Sequence, residues 1–343
     1  MNDIEKKKAF LYQGALLYNK LISFAPNDTI KRYLAFRIIV DTMSFEEIVG
    51  NVFPSRVRQI RNTLLAHKQN PEFFAGFNAT DEIRGTTIFS LFEFMRIYLD
   101  TSQQTPSIPE LSNPSVFIRL EDLVKDLLEK YNRDHIDGFR VTNNFLCFTG
   151  SQIHEISNND IAGCFFRYNS SKALFIFAQY LFDILWLDSD FEIVTRHLKR
   201  DIILHAINMA DCIYKDTRNR YSIDGLYQIM QRENIGNTES LDILAEDTEF
   251  NTLYQELRGI RNKFIGHMDM GIPLTNLVEQ LDALPIEKVY MLINKVDFAT
   301  HKAASSDIAI WVRYSTSNSR LREDRQLKII DIPGLKPTPY CVD

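Results

Sequence analysis

The chain reads "RQIRNTLLAH" over residues 58–67 and "RGIRNKFIGH" over residues 258–267. Both stretches have the form R-x-I-R-N-x-x-x-x-H, so five polar or apolar types recur in one register while the residues between them have diverged. Each copy lies in a segment of helical periodicity. The first follows Pro54, a residue favoured in a first helical turn, and the second carries Leu253, Leu257, Ile260, Phe264 and His267 on one stripe. Taken alone, either His reads equally well as the end of a core face. Repetition weighs against that reading, because a duplicated helix needs to keep apolar spacing but has no packing reason to keep Arg, Arg, Asn and His.

Outward from the first copy, residues 3–50 show apolar positions at three-to-four spacing (Phe10, Leu11, Ala15, Leu17, Leu21, Ile22), followed by "TIKRYLAFRIIVDTMSFEEIV" after "APND". Downstream, "TTIFSLFEFMRIYLD" (86–100) is apolar on both sides and predicts an interior helix. Outward from the second copy the same order returns. "SSKALFIFAQYLFDILWL" and "FEIVTRHLKRDIILHAINMADCIY" predict two long helices, a connector follows, and "PIEKVYMLINKVDFATHKA" closes the set after the motif helix. This is the signature of a diverged duplication rather than a short-period array.

The division that follows is 1–100, a first helical unit; 101–168, a linker and inserted segment; 169–304, a second helical unit; and 305–343, a C-terminal tail. The linker "TSQQTPSIPELSNPS" (101–115) is rich in Pro, Ser and Thr. An amphipathic helix is expected after it, then a mixed β or irregular stretch over 139–168. The tail contains "DIAIWVRYS" and "QLKIIDI", which read as two strands. The expected fold class is mainly α, with a small mixed insertion and a short β-containing tail.

Composition sets limits on function. The 343 residues are 45% hydrophobic and carry a formal charge of -6, enough apolar material for sizeable cores and too acidic for broad, non-specific nucleic-acid binding. Residues 54–68 nevertheless hold Arg56, Arg58, Arg61 and Lys68 without an acid, a local basic patch. Cys147, Cys164, Cys212 and Cys341 are scattered, without zinc-site spacing, and read as buried free thiols. The most apolar run, 173–187, is shorter than a membrane span and contains Asp183. With no signal-peptide pattern at the start, a soluble cytoplasmic protein is expected, with no membrane partner.

The paired motifs resemble those of the HEPN superfamily of helical RNases and nucleotide-binding domains, in which an Arg and then a polar residue are followed by a His after a gap of four to six positions. Arg61-Asn62 with His67, and Arg261-Asn262 with His267, fit that pattern, and "RNKFIGHMD" looks most like abortive-infection and toxin-type members. The resemblance covers roughly 1–100 and 170–304. It implies two HEPN-like helical bundles in a pseudo-twofold arrangement whose motif helices face each other across one composite site. Such sites arise by homodimerisation or, as this sequence resembles, from two units in one chain; a monomer with an intramolecular pair and a homodimer both stay open. It further implies a metal-independent endoribonuclease acting on single-stranded or loop RNA in antiviral defence or as a toxin, with RNA as partner and an inhibitor or activator protein as a possible second one. The rival is a non-catalytic HEPN protein that binds RNA, a nucleotide or a protein partner.

The residue types suit that chemistry. RNA cleavage without a metal or other cofactor needs a base for the 2′-hydroxyl, an acid for the 5′-oxygen, and cationic donors at the phosphorane. His67 and His267 can divide the first two tasks, and the planar forks of Arg61 and Arg261 suit phosphate. Asn62 and Asn262 are candidates to orient a His or hold a substrate oxygen, and Arg58, Lys68, Arg258 and Lys263 to bind the RNA backbone. One difficulty is geometric: six α-helical steps turn about 600°, leaving Arg and His about 120° apart. Either the helix ends or bends near Ala66 and Gly266, or the two residues flank a seam.

His197, Asp201 and His205 share a helix face but lack a familiar metal-ligand spacing, and read as a solvated or interhelical face. No phosphate-binding G-x-x-x-x-G-K-[ST], G-x-S-x-G or catalytic carboxylate pair is present.

Overall fold

The computed structural model describes residues 2–24, 28–50, 85–99, 122, scattered helical positions within 171–185, and 191–213, 225–233 and 238–303. Among these residues 88% are helical and none is in a strand, so the chain is mainly α. The first motif, the expected mixed stretch over 139–168 and the expected β-containing tail over 305–343 lie outside the described residues.

Two long helices, α1 (Asp3–Phe24) and α2 (Asp28–Val49), form a hairpin, and α3 (Gly85–Ile97) packs on it. The Asn2 side chain accepts a hydrogen bond from the Glu5 backbone at 2.9 Å, and Asp3 and Glu5 place negative charge in the first turn of α1, where the helix dipole favours it. Over 91–99, where the side chains of α3 and of the residues just past it are described, Leu91, Met95 and Leu99 are buried along one stripe, while Ile97 and Tyr98 are exposed. The expectation of an interior helix is therefore corrected for this described stretch: Phe92 and Phe94 are partly buried edge contacts of the core rather than interior residues.

The second half is built around α4 (Glu192–Ile213). It is buried on nearly every face from Val194 to Ile213, because elements pack around it on all sides. The connector beyond it contains α5 (Leu226–Glu233) and α6 (Glu239–Glu246). Next come α7 (Thr248–Ile260), a single π-helical turn (Arg261–Ile265), α8 (Leu274–Ala283) and α9 (Ile286–Ala303); α4 touches α7, the π turn, α8 and α9. Asp247 caps α7 by accepting from the Phe250 backbone at 3.0 Å, and Lys295 of α9 reaches the other oxygen of that carboxylate at 2.7 Å. Buried Phe250, Leu253, Tyr254 and Leu257 then recur at the three-to-four spacing that puts them on one face against α4 and α9.

The α1–α2 hairpin and the second half share one hydrophobic core, but a charged layer runs through their junction. Arg37 of α2 meets Asp201 of α4 at 2.5 Å, Arg200 reaches Asp41 at 3.2 Å, and all four residues are buried. The Arg200 guanidinium also lies over the rings of Phe10 and Phe264, 5.0 and 5.3 Å from their centroids. Its Nη1 stands 3.1 Å from Nδ1 of His197, which can only accept from an arginine, so the proton of this imidazole sits on Nε2. Burial, followed by the charge of Arg200, holds the His197 pKa well below the usual histidine value. Of the two readings open for His197, Asp201 and His205, the interhelical one describes them: all three are buried.

Gly14 of α1 sits over this layer. A Cβ there would lie 2.4 Å from Oδ2 of Asp41 and 3.0 Å from the His197 ring, so glycine is what lets α1 close over the charges.

Candidate functional site

The second motif begins on the last turn of α7. Its apolar members do what their spacing predicts: Leu253, Leu257 and Phe264 are buried and Ile260 packs against the core. His267 does not continue that stripe, since its side chain is 44% exposed. The departure follows from the backbone. The α-helical pattern widens at Arg261 into the π turn, closed by a hydrogen bond from the Gly266 N–H to the Arg261 carbonyl at 2.7 Å, and the helix then stops. His267 is thus the second residue past the turn, directly after its closing Gly266, and the rotation of a continuous α-helix no longer fixes its direction. π turns are uncommon and occur often at functional positions.

Three neighbouring elements hold the turn. From α4, Nη2 of Arg200 donates to the Phe264 carbonyl at 3.3 Å, at a helix end where carbonyls lack intrahelical partners. From α1, the buried Lys7 ammonium donates to the Asp269 carbonyl at 2.8 Å. Asp3 of the same helix accepts from the Leu274 backbone at 2.8 Å, so α1 caps α8 in place of a local side chain, and this bond chiefly lowers the Asp3 pKa. From α2, Glu47 faces His267: its two carboxylate oxygens lie 3.3 and 3.2 Å from Nδ1.

Arg261 is nearly enclosed, with 3% of its surface accessible. Its Nη2 donates to Oδ2 of Asp211 at 2.7 Å and its Nη1 to Oδ1 of Asn262 at 2.9 Å. Asp211, in the last turn of α4, also accepts from the Tyr254 hydroxyl, whose pKa is raised by burial and then by that carboxylate. Arg258 lies over the Tyr254 ring at 5.6 Å from its centroid. The aliphatic stem of Arg261 runs back beside Gly266, with Cδ 3.8 Å from where a Cβ would stand.

The second-motif residues named from sequence therefore divide by environment. His267, Asn262 and Lys263 are open to solvent to differing degrees, Arg258 is half-buried on an aromatic face, and Arg261 is an interior cation paired with an acid. Asn262 bonds to Arg261, where the sequence pointed to His orientation or a substrate oxygen. Arg58, Arg61, Asn62, His67 and Lys68 lie outside the described residues.

Glu47, Asp211 and Tyr254 are site neighbours that motif reading missed. A signal was available for the two acids: α2 and α4 have equal lengths, and each carries an acid two residues before its end, Glu47 before Val49 and Asp211 before Ile213. Among the described residues no cluster of His, Cys, Asp and Glu is arranged to hold a metal ion, and no helix is long and apolar enough to cross a membrane. Comparison with protein-family models, curated proteins and solved structures found no match.

Proposed function

We propose that the chain is a tandem HEPN-type endoribonuclease, with the two R-N-x4-H motifs forming one composite site that cleaves single-stranded or loop RNA by 2′-hydroxyl attack. The observation that carries this reading is the contact between Glu47 and His267. It brings the end of α2, which residues 51–84 and the first motif follow in sequence, to the histidine of the second.

The internal register supports a pseudo-twofold relation. Laid end to end without a gap, α2 and α4 match Arg32 with Arg196, Leu34 with Leu198, Ile38 with Ile202, Ile39 with Ile203 and Glu47 with Asp211. The same offset pairs Lys8, Ala9, Leu17 and Leu21 with Lys172, Ala173, Leu181 and Leu185. In this register Arg37 and Asp201 are equivalent positions, and they form an ion pair with each other. Residues on a twofold axis are the ones that meet their own equivalents.

In the proposed reaction one imidazole removes the 2′-hydroxyl proton. The 2′-oxygen attacks phosphorus, the bond to the 5′-oxygen breaks, and the other imidazole protonates the leaving oxygen. The ends are a 2′,3′-cyclic phosphate and a 5′-hydroxyl. Lys263 and Arg258 supply cations from the second half. Arg261 reaches phosphate by exchanging Asp211 for it, one anion for another. A role in antiviral defence or as a toxin, and control by a partner protein, belong to the same reading through the family resemblance alone.

The test is incubation of the full chain with mixed single-stranded RNA in excess EDTA, beside folded His67→Ala and His267→Ala variants. Cleavage that both substitutions abolish, with cyclic phosphate ends, is the expected result. Cleavage surviving both would overturn the assignment, and binding without cleavage would favour a non-catalytic RNA-binding HEPN protein.

A further inference from the structure

His267 belongs to the second half of the chain and Glu47 to the first, yet their side chains meet at Nδ1. A neutral imidazole has one N–H and one lone pair, and which nitrogen carries the proton is set by the partner the ring finds. An ionised carboxylate only accepts, so this partner selects the form with hydrogen on Nδ1. The lone pair is then on Nε2.

We propose that Glu47 is a positioning residue for His267, fixing the ring so that Nε2 is the nitrogen that exchanges a proton with the ligand. The contact stands by itself, whereas its use in RNA cleavage rests on the nuclease reading above. In that reaction Nε2 takes the 2′-hydroxyl proton, Nδ1 keeps its own toward Glu47, and the imidazolium that forms is stabilised by the adjacent carboxylate. His67 then delivers a proton to the departing 5′-oxygen, and release of the Nε2 proton to solvent together with uptake of one by His67 resets the pair.

Two features make Glu47 more than a chance surface partner. The carboxylate is offered from the last turn of α2, a helix anchored in the core through Arg37 and Asp41, so its approach is set by packing rather than by a free loop. The corresponding acid of α4, Asp211, also bonds a motif side chain, Arg261. The same place on two matched helices thus serves the motif twice.

The test is nitrogen-15 NMR on the full chain labelled at histidine, at a pH where the ring is neutral, with His267→Gln to assign the signal. The variants are Glu47→Met, of similar length without an acceptor, and Glu47→Gln, which keeps an acceptor without the charge. Wild type is expected to show hydrogen on Nδ1 of His267, Glu47→Met to lose that preference, and Glu47→Gln to retain most of it. RNA cleavage should fall about tenfold to a hundredfold in Glu47→Met, mainly in kcat, as a fraction of the ~10²–10⁴ a general base supplies, with partial recovery in Glu47→Gln. An unchanged proton position in Glu47→Met would overturn the proposal whatever happens to cleavage. If wild type cuts no RNA, the nuclease reading fails, and the proton position still decides the role of Glu47.

Discussion

Asp201 illustrates what a single buried charge does here. Burial pushes its carboxyl up to about 6 despite the nearby Arg37 guanidinium. An acid whose pKa rises on folding holds more protons in the folded state, so its stabilising contribution is complete below about pH 4 and is lost as pH rises through about 6. His197 works in the opposite sense: kept neutral in the fold, it lets the unfolded chain gain a proton below about pH 6.5, and stability falls as pH falls. Replacing Asp201 with Asn removes the first effect and leaves the second. Urea unfolding at successive pH values should therefore give the variant a more positive slope of unfolding free energy against pH between about 4 and 6.

At the scale of the element, the motif depends on where α7 begins as much as on where it ends. Asp247 satisfies the Phe250 N–H and draws in Lys295. Asp247→Ala should cost about 1 kcal/mol, read as a lower urea midpoint. The Asp247 pKa is lowered first by Lys295 and next by the Phe250 bond, so this contribution is present at neutral pH and lost as pH falls below about 4. Long helices and the stripe of Leu253, Leu257 and Phe264 were legible in the sequence because periodicity reports burial directly. The π turn was not, since its extra residue per turn leaves no periodic trace in only Arg261–Ile265. Glu47 and Asp211 also escaped notice as site residues: each looks like an ordinary helix-end acid until tertiary packing brings it to His267 or Arg261. His197 and Asp201 were legible as one face, but sequence alone left open whether water or a helix covered it.

For the whole molecule, the junction between α2 and α4 is where the two halves are matched. Arg37→Asp alone places a carboxylate against Asp201 and Asp41, and Asp201→Arg alone sets two guanidiniums together; each should cost about 3–5 kcal/mol, the scale for breaking a buried pair. If the two positions are equivalent about an axis, the exchanged pair Arg37→Asp with Asp201→Arg should restore a substantial part of that loss. A double-mutant cycle by urea unfolding measures the recovery, and additive losses would count against equivalence. The same junction also sets an order of events during synthesis. A chain emerging from the ribosome presents Arg37 and Asp41 long before Arg200 and Asp201 exist, and their own pairing at 3.7 Å is only part of the network that buries them, so burying them without α4 is costly. Full closure of the hairpin over these charges is therefore expected only once α4 is made. Glu47 can meet His267 only once the chain beyond α4 has been made, so the histidine is expected to acquire its carboxylate partner late in folding.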